Sequence, residues 1–131
     1  KIEVRLRPVP QDLVLDCQSV PISQVLINLL NNAFDAVSHL DTKWIQIEVR
    51  ALAHAKIQIR ISDSGRGISR EVSEKIMDPF FTTKRVGDGV GLGLSISKGI
   101  IESHQGRIFL DENEAHTTFV VELPRFQQAY N

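Results

Sequence analysis

Two stretches of alternating apolar residues, joined by a short connection, limit the folds open to this chain more than any other feature. Apolar residues occupy every second position from 45 to 51 and again from 57 to 61. A period of two is typical of strands that have one covered face. Because residues 52–56 form a connection of hairpin length, the two strands are predicted to pair antiparallel. Their apolar face then needs a second layer of structure to cover it.

Helices are predicted to supply that layer. From Ile22 to Leu40 the apolar residues recur at helical spacing, and Pro21 stands where the first turn of a helix tolerates proline. A second long helix is predicted from Leu92 to His104, ended by Gly106. Further elements are predicted from the same patterns: strands at 2–7, 13–15, 108–110 and 119–123, one or two helical turns at 70–77 and a loop at 78–90. This order predicts an α/β (α+β) two-layer sandwich, with helices on one face of a mixed, mostly antiparallel sheet.

The length and charge of the chain limit the classes of protein to which it can belong. Its 131 residues suit one domain, with a loose tail after Arg125. A net charge of −1 gives no overall basic field for nucleic acid, and no apolar run approaches the roughly 18 residues that cross a bilayer. Lys1 in place of Met suggests a piece of a longer protein, and the single Cys17 suits a reducing compartment. We therefore expect a cytoplasmic domain, whose parent protein can itself be membrane-anchored.

Glycines are concentrated in the middle of the chain, where six of the eight fall between positions 65 and 93. Glycine suits backbone that takes unusual dihedral angles or approaches a ligand closely. The run from Gly89 to Leu94 leads straight into the predicted helix, whose N-terminal N–H groups and dipole favour phosphate. A flexible surface loop explains the same glycines equally well. No glycine is followed by lysine, so there is no P-loop, and no G-x-G-x-x-G follows a strand as a dinucleotide site requires.

Asp63 and two asparagines are candidates for ligand contacts. Asp63 continues the alternation of the second strand, so its carboxylate is predicted to face the covered side of the sheet. A buried carboxylate needs partners, and the amino group of adenine is one suitable donor. A turn-capping Asp before Ser64-Gly65 is the alternative. Asn28 and Asn32 lie one turn apart on the long helix, where an amide oxygen can ligate Mg²⁺, although a polar stripe facing solvent explains them as well.

Four segments in a fixed order resemble the sequence boxes of the GHKL ATPase superfamily. Residues 24–33 (QVLINLLNNA) look like the N box, and residues 63–68 (DSGRGI) look like the G1 box, D-x-G-x-G-I. Residues 78–84 (DPFFTTK) look like the F box and residues 89–94 (GVGLGL) like the G2 box. Each box alone is a weak to moderate signal, but their combination resembles the catalytic domain of sensor histidine kinases. The resemblance covers nearly the whole chain and implies a Bergerat-type ATP-binding fold with a mobile lid between the F and G2 boxes.

The resemblance also implies roles for individual residues. Asp63 would accept the adenine amino group with support from Thr117, and Asn32 would hold the Mg²⁺ that bridges the phosphates. Lys84 is a candidate lid cation, with a solvated loop lysine as the alternative. Asn28 and Lys84 are candidates to support catalysis, and no residue of this chain is assigned a certain catalytic role. The implied ATP site consists of Asn28, Asn32, Asp35, Asp63, Gly65, Gly67, Ile68, Phe80, Thr83, Lys84, Gly89, Val90, Gly91, Leu92, Gly93, Leu94 and Thr117.

The residue at position 28 distinguishes two branches of that superfamily. Gyrase-type and chaperone-type members place a glutamate four residues before the Mg²⁺ asparagine, where it activates water. Asn28 stands at this place and cannot act as a general base at neutral pH. Its presence suits transfer to a protein histidine rather than hydrolysis.

The chain departs from the family pattern at several places. Met77 stands where an aromatic residue often begins the F box. Asp35 stands where many histidine kinases carry a basic residue near the phosphates, so phosphate contacts are expected from Lys84 or Arg85. His116 replaces a usual glycine, which is expected to alter the last turn and not the chemistry. No histidine is followed by the Glu and Pro of a phosphoacceptor helix, and all four are interpreted as structural or surface residues.

The expected function follows from the resemblance. The chain would bind Mg·ATP and donate the γ-phosphate to a histidine on the separate phosphoacceptor and dimerisation domain of its parent kinase, which in turn serves a response regulator. Contact with nucleic acid or directly with a membrane is not expected, and the fragment is expected to be monomeric. Two alternatives remain open: a GHKL-type ATPase that hydrolyses ATP, and a catalytically silent module that senses nucleotide.

Overall fold

The computed structural model of the protein describes residues 1–79, 81 and 93–126. Within these residues a five-stranded sheet has the order β1-β2-β3-β5-β4. β1 pairs parallel with β2, whereas the other neighbouring strands pair antiparallel, which confirms the mixed, mostly antiparallel sheet. The strands are β1 (Glu3–Leu6), β2 (Trp44–Leu52), β3 (Lys56–Asp63), β4 (Arg107–Leu110) and β5 (Thr118–Pro124).

Helices α1 (Ser19–Val37) and α3 (Gly93–Ser103) are the two long helices of the described residues, and α2 (Arg70–Ser73) is a single turn. The predicted bounds of the first helix, 22–40, lie three residues too late at each end. None of the helices in the described ranges is long and apolar enough to cross a membrane.

The core lies between α1, α3 and one face of the sheet. The alternating residues of β2, β3 and β5 face the helices, because strand side chains point to opposite faces in turn. In the antiparallel register Ile61 pairs with both Ile47 and Phe119, so the three central strands present one continuous apolar surface. The buried apolar residues of this cluster are Ile22, Val25, Leu29, Ala33, Ile45, Ile57, Ile59, Ile61, Ile101, Ile108, Phe119, Val121 and Leu123.

The opposite face of the sheet carries a buried cation. Arg60 is 8% exposed, and its guanidinium lies 2.6 Å from a carboxylate oxygen of Asp111 and 3.3 Å from one of Glu114. Both acids belong to the segment that joins β4 to β5. The ion pairs therefore attach that connection to the centre of the sheet.

The strand predicted at residues 13–15 is wrong. Leu13 and Leu15 pack against the core while Val14 is exposed, so the alternation is present. Among the described residues the segment joins no strand ladder. The Val14 carbonyl oxygen accepts a bond from the Arg125 side chain (3.3 Å), and the Asp16 N–H, just after the segment, donates to the Arg125 carbonyl oxygen (2.7 Å). Alternating burial alone does not make a strand when no partner lies alongside.

The end of α3 also differs from the prediction. Gln105, not glycine, takes the left-handed conformation, with φ of 62°. Its N–H donates to the Glu102 carbonyl and that of Gly106 to the Ile101 carbonyl, which is the Schellman pattern of helix termination. Gly106 is needed for another reason, because a Cβ at this position would lie 2.2 Å from the Glu122 carbonyl oxygen.

Candidate functional site

Asp63 is a buried acid at the end of β3. It is 3% exposed and lies opposite Ile45 in the register with β2, on the covered face that its alternation predicts. Its own N–H donates to the Thr117 carbonyl (3.0 Å), which extends the pairing of β3 with β5 by one residue. Burial raises the pKa of the Asp63 carboxyl above its usual value, while the Gly65 N–H and the His116 charge act in the opposite direction.

Gly65 keeps open a narrow space beside this carboxylate. Its N–H donates to Asp63 Oδ1 at 2.8 Å. A Cβ added at Gly65 would lie only 2.7 Å from Asp63 Oδ1 and 3.3 Å from the hydroxyl oxygen of Thr117, which is buried. The backbone here can therefore approach the acid and the threonine closely because residue 65 has no side chain. Gly67, two residues on, takes a φ of +91°, a conformation that favours glycine.

A cavity of about 460 Å³ opens beside these residues. It lies between the loop that leaves β3 and the connection between β4 and β5. Its lining residues are Arg66, Gly67, Ile68, Ser69, Arg70, Leu110, Asp111, Glu112, Glu114, His116 and Thr117. The predicted site residues Gly67, Ile68 and Thr117 thus share one cavity, next to Asp63 and Gly65. Most of these lining side chains are polar or charged, and Ile68 and Leu110 are the aliphatic ones.

The asparagines of the predicted site lie on α1, which packs on the same face of the sheet as Asp63. Asn28 donates its amide N–H groups to the Ser97 hydroxyl (3.3 Å) and the Gly93 carbonyl (3.5 Å). These bonds join α1 to the first turns of α3, where unpaired N–H groups and the helix dipole favour an anion. Asn32 is half-buried one turn further along α1, and Asp35 is exposed.

The remaining predicted residues divide into two groups. Leu94 is half-buried in the first turn of α3. The others lie outside the described residues, so their predicted roles stay predictions: Phe80, Thr83, Lys84, Gly89, Val90, Gly91 and Leu92.

The α1 residues fit a magnesium ion that is held mainly by phosphate. Asn32 and Asp35 carry oxygen donors about one and two turns along α1 from Asn28, the residue that contacts Gly93 and Ser97 of α3. Mg²⁺ commonly takes one or two protein oxygens plus phosphates and waters. Among the described residues, no group of three or more His, Cys, Asp or Glu side chains is arranged to hold a metal ion.

Two aromatic residues near Asp63 were missed by the sequence analysis as part of this site. His116 Nδ1 lies 3.0 Å from the Gly65 carbonyl oxygen. Its ring meets that of Trp44 edge-on, with centroids 5.0 Å apart and planes at 80°. The signal for His116 was its position directly before Thr117, in place of the usual glycine. For Trp44 no comparable signal exists, because its contact depends on the register of β2 and β3.

Comparison with known proteins identifies close similarities. A family model described as histidine kinase-, DNA gyrase B-, and HSP90-like ATPase matches residues 17–127. The chain is 37% identical over 122 residues to the C4-dicarboxylate transport sensor protein DctB of Rhizobium meliloti, covering 93% of this chain and 19% of that protein. It is 39% identical over 114 residues to the sensor protein FixL of Bradyrhizobium diazoefficiens, covering 86% and 22%. The chain therefore spans about a fifth of the length of these two relatives.

Solved structures agree with this similarity. The nucleotide-free catalytic domain of the histidine kinase ThkA has a TM-score of 0.81 and 35% sequence identity, covering 95% of this chain and 80% of that one. The structure of ThkA in complex with the response regulator protein TrrA has a TM-score of 0.78 and 34% identity, covering 95% of this chain and 34% of that one.

Proposed function

The chain belongs to the histidine kinase-, DNA gyrase B-, and HSP90-like ATPase family, and from this premise we propose that it is the ATP-binding catalytic domain of a sensor histidine kinase. In this proposal residues 1–131 form one cytoplasmic domain that binds Mg·ATP and donates the γ-phosphate to a histidine on a separate phosphoacceptor domain. The observation that carries the proposal is the buried carboxylate of Asp63, which lies beside the Cβ-free space at Gly65 and the Thr117 hydroxyl.

Adenine recognition is assigned to the end of β3. One oxygen of Asp63 accepts the Gly65 N–H, and the second is proposed to accept the exocyclic amino group of adenine. Thr117, directly before β5, is proposed to support Asp63, while Gly65 and Gly67 let the backbone lie against the base. The low exposure of Asp63 favours this role over that of a simple turn cap, because a buried carboxylate requires donors.

Phosphate binding is assigned to the junction of α1 and α3. Asn28 ties α1 to the first turn of α3 through Gly93 and Ser97. Asn32 is the proposed protein ligand of Mg²⁺, which when bound would neutralise charge on the phosphate oxygens. The remaining phosphate and lid contacts are proposed for residues outside the described ranges: Phe80, Thr83, Lys84, Gly89, Val90, Gly91 and Leu92.

The proposed reaction is a substitution at the γ-phosphorus atom. A nitrogen of the acceptor imidazole forms an N–P bond while the bond from phosphorus to the bridging oxygen breaks, and the electron pair leaves with ADP. The attacking nitrogen of the neutral imidazole supplies a lone pair, and the proton on the other ring nitrogen then passes to solvent or to a base of the acceptor domain. Phosphoryl transfer depends mainly on position and on charge neutralisation, which is what the residues of this chain supply. Asn28 cannot activate water, and this favours transfer over hydrolysis.

The partners of the domain follow from the same proposal. The relatives are about five times longer than the matched segment, so the phosphoacceptor helices are expected elsewhere in the parent protein, which can be membrane-anchored. The ThkA structure contains the response regulator protein TrrA. By analogy, a response regulator is proposed to take the phosphoryl group from the acceptor histidine of this kinase.

Substitution Asp63→Asn tests the nucleotide site. The amide would place a donor opposite the adenine amino group, so we expect ADP to bind about 10- to 100-fold more weakly, as for loss of a charge-assisted hydrogen bond of about 1.5–3 kcal/mol. Isothermal titration with ADP and Mg²⁺ measures this. Asp12→Asn, an exposed site in a turn, is the matched control and should bind as the wild type does. Equal ADP affinity in Asp63→Asn and wild-type protein would refute the assignment.

Transfer is tested with labelled ATP and the separately produced phosphoacceptor domain of the parent kinase. We expect label on the acceptor domain and none on this chain alone. Steady release of inorganic phosphate from the isolated chain, lost on substitution of Asn28, would instead indicate an ATPase. Tight ATP binding without label on the acceptor would indicate a silent nucleotide-sensing module.

A further inference from the structure

Both backbone groups of Gly65, which belong to two successive peptide units, are hydrogen-bonded. Its N–H donates to Asp63 Oδ1 at 2.8 Å, and its carbonyl oxygen accepts a hydrogen bond from His116 Nδ1 at 3.0 Å. A carbonyl oxygen has no proton to give, so Nδ1 must be the donor. We infer that His116 is a positioning residue of the nucleotide site, because it fixes the orientation of the Gly65 backbone and through it the purine-binding carboxylate of Asp63. This inference rests on the proposed function.

The ring of His116 is itself held in place. It meets Trp44 edge-on at a centroid distance of 5.0 Å. Trp44 in turn exchanges two hydrogen bonds with Ser64, the residue before Gly65, from Trp44 N–H to Ser64 Oγ at 3.1 Å and from Ser64 N–H to the Trp44 carbonyl at 3.0 Å. His116 therefore contacts Gly65 while its ring packs against Trp44, which itself hydrogen-bonds to the preceding residue, Ser64. His116 is exposed, but its ring contacts two neighbours, Trp44 and the Gly65 carbonyl, which restrict its rotamers.

The segment that carries His116 is anchored independently of the nucleotide. Arg60, buried in the sheet, pairs with Asp111 at 2.6 Å. The hydroxyl oxygen of Ser73, at the end of α2, lies 2.9 Å from the Arg70 carbonyl oxygen and 3.1 Å from Glu112 Oε1. The β4–β5 connection is therefore held to β3 through Arg60, and it contacts the segment after β3 at two places, through Glu112 at Ser73 and through His116 at Gly65. The His116 contact is made to Gly65, whose N–H is hydrogen-bonded to Asp63, whereas the Glu112 contact is made to Ser73. The two contacts are therefore expected to differ in their effect on nucleotide binding.

The experiment distinguishes the effect of the hydrogen bond that His116 donates from the effect of its ring packing against Trp44. His116→Asn keeps a side-chain N–H close to the position of Nδ1 and removes the ring, whereas His116→Phe keeps a ring against Trp44 and removes the donor. We expect ADP affinity, measured by titration calorimetry with Mg²⁺, to fall about 3- to 10-fold in His116→Phe, as for loss of one neutral hydrogen bond, and to stay within about twofold of wild type in His116→Asn. Ser73→Ala, which removes the Glu112 contact, is the matched control and should bind as the wild type does.

Hydrogen exchange of the Gly65 amide in nucleotide-free protein gives a second measurement. Exchange should be faster in His116→Phe than in wild type and close to wild type in His116→Asn, because only the former frees the Gly65 carbonyl and so loosens the backbone dihedral angles that direct the Gly65 N–H toward Asp63. Thermal unfolding of each variant shows whether the fold is intact.

The outcomes distinguish this inference from the proposed function. If wild-type protein binds ADP and His116→Phe binds it equally well, the positioning role is wrong and the proposed function stands. If His116→Asn loses as much affinity as His116→Phe, the hydrogen bond to Gly65 is not the cause and the inference is also wrong. If wild-type protein itself does not bind ADP, both the proposed function and the positioning role fail.

Discussion

Substitution of Gly65 by alanine tests the geometry around Asp63 directly. The added Cβ would lie 2.7 Å from Asp63 Oδ1, a separation shorter than non-bonded carbon and oxygen atoms tolerate, and 3.3 Å from the Thr117 hydroxyl oxygen. The carboxylate can relieve this contact by turning away. It would then lose its 2.8 Å hydrogen bond from the Gly65 N–H.

The expected loss in the free energy of unfolding follows from that lost hydrogen bond. A hydrogen bond to a charged group contributes about 1.5–3 kcal/mol, and the reduced freedom of alanine in the unfolded chain offsets about 0.4–1 kcal/mol. The net destabilisation by Gly65→Ala is therefore about 1–2 kcal/mol, which lowers Tm by roughly 3–10 °C for a domain of this size. Because the same movement displaces the oxygen that is proposed to bind the purine, we expect ADP affinity to fall about tenfold or more.

Calorimetry of unfolding and of ADP binding measures both effects, and Gly99→Ala is the matched control. Gly99 lies inside α3, and a Cβ there would meet nothing within 4 Å. Alanine in a helix interior is more favourable than glycine by roughly 0.5–1 kcal/mol, so this variant should melt a few degrees higher with unchanged ADP affinity. If Gly65→Ala also melts at or above the wild-type temperature and binds ADP normally, the reasoning about close approach at Asp63 is refuted.

Two further predictions concern stability. The hydrogen bond from Arg60 lowers the pKa of Asp111, so its contribution is present above the unfolded-state pKa and lost as pH falls through the lower folded-state pKa. Asp111→Asn should therefore be less stable than wild type by up to about 1 kcal/mol at pH 7, with a difference that shrinks in urea titrations as pH falls below the ordinary pKa of an aspartate; a difference independent of pH would contradict this. His104 is buried, accepts the N–H of Gln18 before α1 at Nε2 (3.1 Å), and contacts the Ile100 carbonyl oxygen through Nδ1 (2.9 Å). His104→Ala should cost about 2–4 kcal/mol in urea unfolding, and a loss below 1 kcal/mol would show that this link between α1 and α3 is unimportant.

The parts of the fold that follow local patterns were predictable. The period of two in β2 and β3 predicted their pairing, and it also placed Asp63 on the covered face, since parity continues along a strand. The helical spacing after Pro21 predicted α1. These features depend on near neighbours in sequence, so a single chain carries enough information to find them.

Features that depend on distant contacts were not predictable. The stretch at 13–15 alternates like a strand, but only the folded chain shows that no strand in the described part of the structure pairs with it. Gln105 takes a left-handed conformation although glycine stands next to it, because Gly106 is required by the close approach of the Glu122 carbonyl. The contact of His116 with Gly65 joins residues 51 positions apart, and no local pattern indicates it.

The carboxylate that defines the candidate site also weakens the fold that holds it. Burial raises the pKa of Asp63, which means that its ionised form is disfavoured in the folded protein relative to the unfolded chain. By linkage this destabilisation is present at pH values above the folded-state pKa and is relieved as pH falls through that pKa toward the unfolded value. An acid that served only to cap a turn would be expected at the surface, with its pKa lowered by the N–H that it accepts. Asp63 accepts such an N–H and is nevertheless 3% exposed with a raised pKa, so one donor does not compensate its burial. A second donor that arrives with the ligand would complete the compensation, and for this reason nucleotide binding and the stability of the domain are expected to be coupled through this residue.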